Sequence, residues 1–253
     1  SLFKCVYFCI SQKIFMHNKI IKSALISVFN KEGLEPIVNR LSSLGVALYS
    51  TGGTYAYIDQ LGKKVNLVED LTEYPSIFGG RVKTLHPKIF GGILNRRADA
   101  GDIAEKGKYN IPDIDLVIVD LYPFEETVSS GGINEEIIEK IDIGGIALIR
   151  GAAKNYNDVL IVSSRNYYKT FLDLLERGEG LTTLDQRKSY ALRAFHISSH
   201  YDTAIFNYMN RSGELPVYKV SYDQRKILRY GENPHQAGIF YGDLQNYFDQ
   251  LGG

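Results

Sequence analysis

The sequence has little cysteine and no net charge, and each shortage excludes a class of protein. Only Cys5 and Cys9 are cysteines among 253 residues, so a disulfide framework in the body of the chain is excluded, which fits a reducing cytoplasm. Lys and Arg number 29, as do Asp and Glu, so no bulk positive field exists to attract nucleic acid. We therefore expect a cytoplasmic protein without a nucleic-acid partner, although cations can still cluster locally in a pocket.

A long apolar run is also missing at the N-terminus. Lys4, Gln12 and Lys13 interrupt the apolar stretch over 1–15, which makes it too short to cross a bilayer. No small-residue cleavage site of a signal peptide follows it. We therefore expect no membrane partner, and we interpret residues 1–17 as a disordered or non-native extension, with Met16 as the natural start. The alternative is an ordinary first strand.

The remaining chain alternates between two kinds of pattern. Short apolar runs typical of buried strands are separated by segments with apolar residues at helical spacing, such as Leu34, Ile37, Val38 and Leu41. This alternation predicts an α/β fold, an open and mostly parallel sheet with helices on both faces. A long helix is predicted over 183–210. The predicted strands are 23–28, 46–49, 65–68, 116–119 and 159–162.

Ligands of open parallel sheets bind beyond the carboxyl ends of the strands, and Thr51-Gly52-Gly53-Thr54 follows such an end. Paired glycines let backbone N–H groups approach an anion, hydroxyls add donors, and the next helix begins with partial positive charge. The alternative is a plain strand-to-helix turn with a threonine cap. Lys31, one loop away, favours the anion site.

A second group of candidates is Gly80-Arg-Val-Lys-Thr-Leu-His-Pro87. In an extended backbone, Arg81 and Lys83 point to the same side. Two cations beside the Thr84 hydroxyl suit a phosphate or a developing oxyanion. The alternative is a solvated basic turn.

A third group surrounds Asp142, which together with two glycines opens a helix that carries Lys154 three turns along. With Lys83 and Tyr122, these side chains could transfer protons without a metal. The alternatives are a helix N-terminal charge for Asp142 and a surface lysine for Lys154. No metal site is predicted, because His196 and His200 lack the glutamate of a metalloprotease motif.

These motifs together resemble a known family. In family order, they are similar to the N-terminal part of bifunctional purine biosynthesis enzymes, which combine AICAR transformylase and IMP cyclohydrolase. The resemblance covers residues 19–241. It rests on Ser27-Val-Phe-Asn-Lys31, Ser50-Thr-Gly-Gly-Thr54, Gly80–Pro87, Asp120-Leu-Tyr-Pro-Phe124, Asp142-Ile-Gly-Gly145, Arg150-Gly-Ala-Ala-Lys-Asn155 and Leu228-Arg-Tyr-Gly-Glu-Asn-Pro-His-Gln236.

The resemblance implies a methylglyoxal-synthase-like IMP cyclohydrolase domain over 18–215. Its reaction closes the ring of formylaminoimidazole carboxamide ribotide, a purine nucleotide precursor, to give inosine monophosphate, the last step of de novo purine synthesis, with no cofactor or metal. The implied catalytic residues are Lys83, Tyr122, Asp142 and Lys154, with Lys154 as the proton shuttle. The implied binding residues are Asn30, Lys31, Thr51, Gly52, Gly53, Thr54, Arg81, Thr84, Asp120, Ile143 and Gly144.

The resemblance also implies that 216–253 are a linker and the truncated start of the transformylase domain. There Arg229, Tyr230 and His235 would contact substrate only in a complete chain. We expect no formyl transfer here, so 10-formyltetrahydrofolate is a cofactor only of the missing domain. A homodimer is implied. The alternative functions are a methylglyoxal synthase and a nucleotide-sensing regulatory domain of the same fold.

Overall fold

A five-stranded parallel sheet is the centre of the first of two compact units. The structure is a computed structural model that describes residues 18–223, 225–233 and 235–242, so the predicted extension over 1–17 lies outside the described residues. The sheet order is β4-β3-β2-β5-β6, with every neighbouring pair parallel. These strands are β2 (Ser23–Val28), β3 (Ala47–Ser50), β4 (Asn66–Leu67), β5 (Leu116–Asp120) and β6 (Leu160–Val162).

Helices cover both faces of this sheet, as predicted. They are α1 (Leu34–Ser43), α2 (Gly52–Gln60), α3 (Val68–Thr72), α4 (Pro87–Leu94), α5 (Ala100–Lys108), α6 (Phe124–Ser129), α7 (Asn134–Glu139), α8 (Ile143–Lys154), α9 (Tyr168–Gly178) and α10 (Leu184–Met209). A short antiparallel pair joins β1 (Lys19–Ile20) to β7 (Leu181–Thr182).

Alternate residues of each strand enter two different cores. Ile26 and Ile118 pack with α1 and α9 on one face, whereas Leu25 and Val117 pack with α4, α8 and α10 on the other. Strands buried on both faces carry apolar residues at every position, because each side chain meets a helix whichever way it points. This explains why the run over 23–28 is almost continuously apolar.

The predicted strands are confirmed, with small shifts, except for the one over 65–68. There only Asn66 and Leu67 form a strand, because α3 begins at Val68. Glu69 and Asp70 lie in the first turn of α3, where acidic side chains favour a helix. The predicted long helix is confirmed as α10.

The second compact unit begins after Ser198. It contains the last part of α10 and an antiparallel hairpin of β8 (Arg225–Ile227) and β9 (Ile239–Tyr241). A domain boundary at 215 stays a prediction. Among the described helices, none has the length and apolar character needed to cross a membrane.

Candidate functional site

A cavity of about 500 Å³ lies where the strands end, within the first compact unit. The loops that follow β2, β3 and β5 contribute to its walls, together with the turn before α4 and the start of α8. This is the edge at which open parallel sheets bind ligands. The predicted site residues that line the cavity are Lys31, Thr51, Gly53, Thr54, Arg81, Lys83, Thr84, Asp120, Tyr122, Asp142, Ile143 and Gly144.

Two lysine ammonium groups converge on the paired glycines at the start of α2. A Cβ atom placed on Gly52 would lie 3.7 Å from the Lys83 Nζ, and one placed on Gly53 would lie 3.8 Å from the Lys31 Nζ. Gly52 has a positive φ of 55°, which favours glycine there. The first N–H groups of a helix lack intrahelical partners. Backbone donors and two cations therefore meet at one point, as an anion site requires.

The threonine hydroxyls of this loop do not act as the expected anion donors. The Thr54 hydroxyl donates to the Val28 carbonyl at 2.9 Å and accepts from the Val28 N–H at 3.2 Å. The Thr51 hydroxyl donates to the Glu69 carboxylate at 2.5 Å. Both threonines are buried. Their hydroxyls fix the loop to its neighbours, so that part of the sequence interpretation is wrong.

Lys31 is held close to the backbone at the end of β2. Its ammonium donates to the carbonyls of Val28, at 3.1 Å, and Phe29, at 2.7 Å. Burial lowers the pKa of Lys31, the nearby Asp120 carboxylate opposes this, and the Lys83 charge lowers the pKa further. An anion bound between the two lysines would relieve their repulsion.

Asn30 does not line the cavity, contrary to its expected contact with the ligand. Its backbone N–H donates to the Asp120 carboxylate at 3.1 Å, and its side-chain oxygen accepts from the Glu32 N–H at 2.8 Å. Asn30 therefore shapes the turn that presents Lys31. Burial raises the pKa of Asp120, and hydrogen bonding from Asn30 opposes the increase.

Asp142, Tyr122 and Lys83 are three titratable side chains that line the same part of the cavity and influence one another. Asp142 caps α8 by accepting the Gly145 N–H at 2.6 Å. Burial raises its pKa, and the Gly145 N–H and then the Lys83 charge oppose the increase. Burial, followed by the Asp142 charge, raises the pKa of Tyr122. A carboxylate with increased proton affinity thus lies near a phenol that stays protonated and an ammonium group.

The start of α8 adds backbone donors next to this group. Ile143 and Gly144 are its first two residues after the Asp142 cap, so their N–H groups precede the intrahelical hydrogen bonds. A Cβ atom on Gly144 would lie 3.2 Å from the buried Thr84 hydroxyl. Ile143 and Gly144 both line the cavity, and their role as oxyanion donors stays a prediction.

Arg81 lines the cavity from a turn that is not extended. Phe78, Gly79 and Gly80 all have positive φ values, and Arg81 itself has helical φ and ψ of −65° and −26°. The expected extended backbone at Arg81 is therefore wrong, but Arg81 and Lys83 both line the cavity, as the expected same-side arrangement requires. The Arg81 guanidinium lies 3.7 Å from the Glu139 carboxylate, and both side chains are exposed.

Lys154, the expected proton shuttle, does not line the cavity. It is the last residue of this twelve-residue helix and is exposed. Eleven steps of 1.5 Å separate the two helix ends by about 16 Å, more than a lysine side chain can span. Arg229, Tyr230 and His235 lie exposed in the second compact unit.

The sequence reasoning missed Lys140, which lines the cavity two residues before Asp142. Its ammonium lies 5.4 Å from the ring centroid of Phe29 and 6.0 Å from that of Tyr122. No motif marks this position. The signal that could have found it is its place two residues before the Asp142 cap. Within the described ranges, no group of three His, Cys, Asp or Glu side chains could hold a metal ion.

Comparison with known proteins gives matches along most of the chain. The MGS-like domain model matches residues 33–147, and the model of the AICARFT/IMPCHase bienzyme matches residues 152–253. The bifunctional purine biosynthesis protein PurH of Bacteroides thetaiotaomicron is 58% identical over 236 residues, which cover 93% of this chain and 46% of that protein. PurH of Rhodopirellula baltica is 47% identical over 88% of this chain and 43% of that protein.

This chain thus spans about half the length of these curated relatives. A solved structure described as that of ForH is 36% identical, with a TM-score of 0.65. The alignment covers 76% of this chain and 98% of that one.

Proposed function

The chain belongs to the family of AICARFT/IMPCHase bienzymes with an MGS-like domain, and from this we propose that it is an IMP cyclohydrolase. Its substrate would be formylaminoimidazole carboxamide ribotide and its product inosine monophosphate. The observation that carries the proposal is the cavity at the strand ends, where an anion site adjoins Asp142, Tyr122 and Lys83.

The anion site suits the 5′-phosphate of the substrate. Lys31 and Lys83 approach Gly53 and Gly52 at the start of α2, so a phosphate there would meet two cations and the free helix N–H groups. The remainder of the nucleotide would then extend towards Tyr122 and Asp142, which line the same cavity.

Ring closure needs two protons removed and two delivered. The carboxamide nitrogen attacks the formyl carbon and forms a C–N bond while it loses a proton and the C=O double bond becomes a single bond. The formyl oxygen takes up two protons in all and leaves as water, while the formamide nitrogen loses its proton and forms a C=N double bond to the same carbon. No electrons are gained or lost overall, so this bond change requires no redox cofactor.

We assign these proton movements to side chains with suitable proton affinities. Asp142 would take the proton from the attacking carboxamide nitrogen, because burial raises the pKa of its carboxyl group and makes it a better base. Lys83 and the N–H groups of Ile143 and Gly144 would stabilise charge on the formyl oxygen. Tyr122, whose raised pKa keeps it protonated, would donate a hydrogen bond to the reacting group.

An ultraviolet assay with the formylated ribotide tests this proposal. The purified chain should form inosine monophosphate, and it should form no methylglyoxal from dihydroxyacetone phosphate. Methylglyoxal synthase remains the second candidate, because the MGS-like match includes the anion loop. Methylglyoxal formation, or binding of inosine monophosphate without any turnover of the ribotide, would contradict the cyclohydrolase proposal.

The wider biology of the family is part of the same proposal. We propose a cytoplasmic location, a homodimer, and a ring closure that uses neither metal nor cofactor. The relatives are named as bifunctional proteins and are about twice as long as this chain. Formyl transfer from 10-formyltetrahydrofolate is proposed only for the longer proteins of the family.

A further inference from the structure

Phe29 is an aromatic residue of the cavity that takes no part in the proposed proton transfers. It directly follows β2 and lines the same cavity as Tyr122. Phe29 is 42% exposed, whereas the apolar residues of β2 are buried. A large apolar side chain therefore stays partly open in a cavity whose wall also carries charged groups and hydroxyls.

The backbone of Phe29 is tied to the anion site. Its carbonyl oxygen accepts a hydrogen bond from the Lys31 ammonium at 2.7 Å, and a Cβ atom placed on Gly53 would lie 3.8 Å from the same ammonium. The Phe29 N–H donates to the Asp120 backbone carbonyl at 3.1 Å. These hydrogen bonds use no side-chain atom of Phe29, so a substitution that removes the ring leaves them in place.

The rings of Phe29 and Tyr122 form a corner in the cavity wall. Their centroids lie 5.3 Å apart, and their planes are at 87°. The Lys140 ammonium lies 5.4 Å from the Phe29 centroid, and Phe29 keeps its exposed area beside it. A flat heterocycle parallel to the Phe29 ring would be perpendicular to the Tyr122 ring. Aromatic rings favour offset-stacked and edge-to-face arrangements, so such a heterocycle would meet both rings in a favourable geometry.

A phenyl ring restricts which part of a ligand it can bind. It has no hydrogen-bond donor or acceptor, so it cannot recognise a phosphate group or a short polar chain. A planar unsaturated ring suits it better, because stacking of a base on an aromatic side chain strengthens binding about tenfold or more. The cavity of about 500 Å³ has the size of a pocket that encloses a whole small ligand, so one ligand can reach both Phe29 and the anion site.

We propose that Phe29 binds the heterocycle of the ligand and selects nucleotides over phosphorylated compounds that have no base, such as ribose 5-phosphate. The proposal rests on the proposed nucleotide-binding function of the cavity. It deepens that function, because it names the residue that distinguishes a ribotide from a sugar phosphate or a triose phosphate. Phe29 acts in binding, and no proton passes through it during ring closure.

Calorimetric titrations with inosine monophosphate, ribose 5-phosphate and inorganic phosphate test this assignment. The wild-type chain should bind inosine monophosphate more tightly than ribose 5-phosphate. Phe29→Ala should weaken the binding of inosine monophosphate about tenfold or more, the scale of a lost stacking contact. The same variant should change the affinities for ribose 5-phosphate and phosphate less than about threefold. Phe29→Tyr is the matched control, because it keeps an aromatic ring and should retain most of the preference for the nucleotide.

Three results would overturn the assignment. One is unchanged binding of inosine monophosphate in Phe29→Ala. Another is an equal loss of affinity for all three ligands, which would place the effect at the anion site. The third is the same loss in Phe29→Tyr as in Phe29→Ala, which would show that the aromatic face is not what binds. Thermal melting shows whether the variants fold. If Phe29→Ala does not fold, Phe29→Leu removes the aromatic face while keeping apolar bulk, and it should show the same selective loss.

The wild-type turnover assay tests the proposed function separately. Unchanged binding by Phe29→Ala, in a chain whose wild-type form is active, would refute only the role of Phe29. A wild-type chain that neither binds nor forms inosine monophosphate would refute the proposed function and the role of Phe29 with it.

Discussion

Gly145→Ala tests the position of the proposed base, the Asp142 carboxylate, more directly than a substitution of Asp142 itself does. A Cβ atom at this position would lie 2.8 Å from the Asp142 Cγ and 2.9 Å from its Oδ1, closer than such atoms pack. The carboxylate would have to rotate away from the Gly145 N–H, which it now accepts at 2.6 Å. The substitution therefore displaces the carboxylate without removing it.

The stability change can be worked out against a matched control, Gly107→Ala in α5. A Cβ atom on Gly107 meets nothing within 4 Å, so that variant should gain up to about 1 kcal/mol from helix propensity. At Gly145 the same gain is offset by the lost cap, which costs about 0.5–2 kcal/mol. Gly145→Ala should unfold about 1–8 °C below Gly107→Ala, at about 2–4 °C per kcal/mol.

The two variants should differ more in the rate of ring closure than in their melting temperatures. We expect ring closure to slow at least about tenfold in Gly145→Ala, since a misplaced general base loses part of its contribution of about 10²–10⁴. Gly107→Ala should retain the wild-type rate. Thermal melting and the ultraviolet assay measure both quantities. Equal melting temperatures together with equal rates would show that the Asp142 carboxylate does not lie where the structure has it.

Two further substitutions have definite expected outcomes. Burial raises the pKa of Asp142 in the folded chain, so protonation of its carboxyl group stabilises the folded state. This stabilisation is fully present below the ordinary pKa of 3.8. It is lost as the pH rises through the raised pKa of the folded chain. Asp142→Asn should therefore melt at or above the wild-type temperature at pH 7, yet lose about a hundredfold or more in turnover, and the acidic limb of the wild-type pH–rate profile should disappear. Lys31→Met should weaken the binding of inorganic phosphate about tenfold, as measured by calorimetry. An unchanged phosphate affinity would argue against the anion site.

The sheet and the position of the Gly52-Gly53 loop at a strand end could be predicted because their signals are local. The continuous apolar run over 23–28 matches a strand buried on both faces, and paired glycines at a strand end mark a turn that approaches a ligand. The hydroxyl of Thr54 could not be assigned in this way. Whether it bonds to an anion or to the Val28 backbone depends on the distance between two strands, which the sequence does not contain.

The errors at Lys154 and Lys140 have different physical causes. The spacing predicts that Lys154 lies on the helix that begins after Asp142, which is confirmed, but three helical turns separate the two ends by about 16 Å, so they are not neighbours. Lys140 needed tertiary information, because its partner ring, Phe29, is more than a hundred residues away in sequence. The place of Asp142 at the start of a helix could be predicted because a helix cap is recognisable from adjacent residues; its catalytic role stays a prediction.

The most direct test of the account compares ring closure in Lys83→Met and Lys154→Met. Each variant replaces one lysine with methionine and so removes one ammonium group. Of the two lysines, only Lys83 lines the cavity. Lys154 is exposed at the far end of α8. At saturating ribotide, Lys83→Met should lose about a hundredfold or more in turnover, and Lys154→Met should stay within about twofold of the wild-type rate. Loss in Lys154→Met with retention in Lys83→Met would contradict the location of the catalytic site.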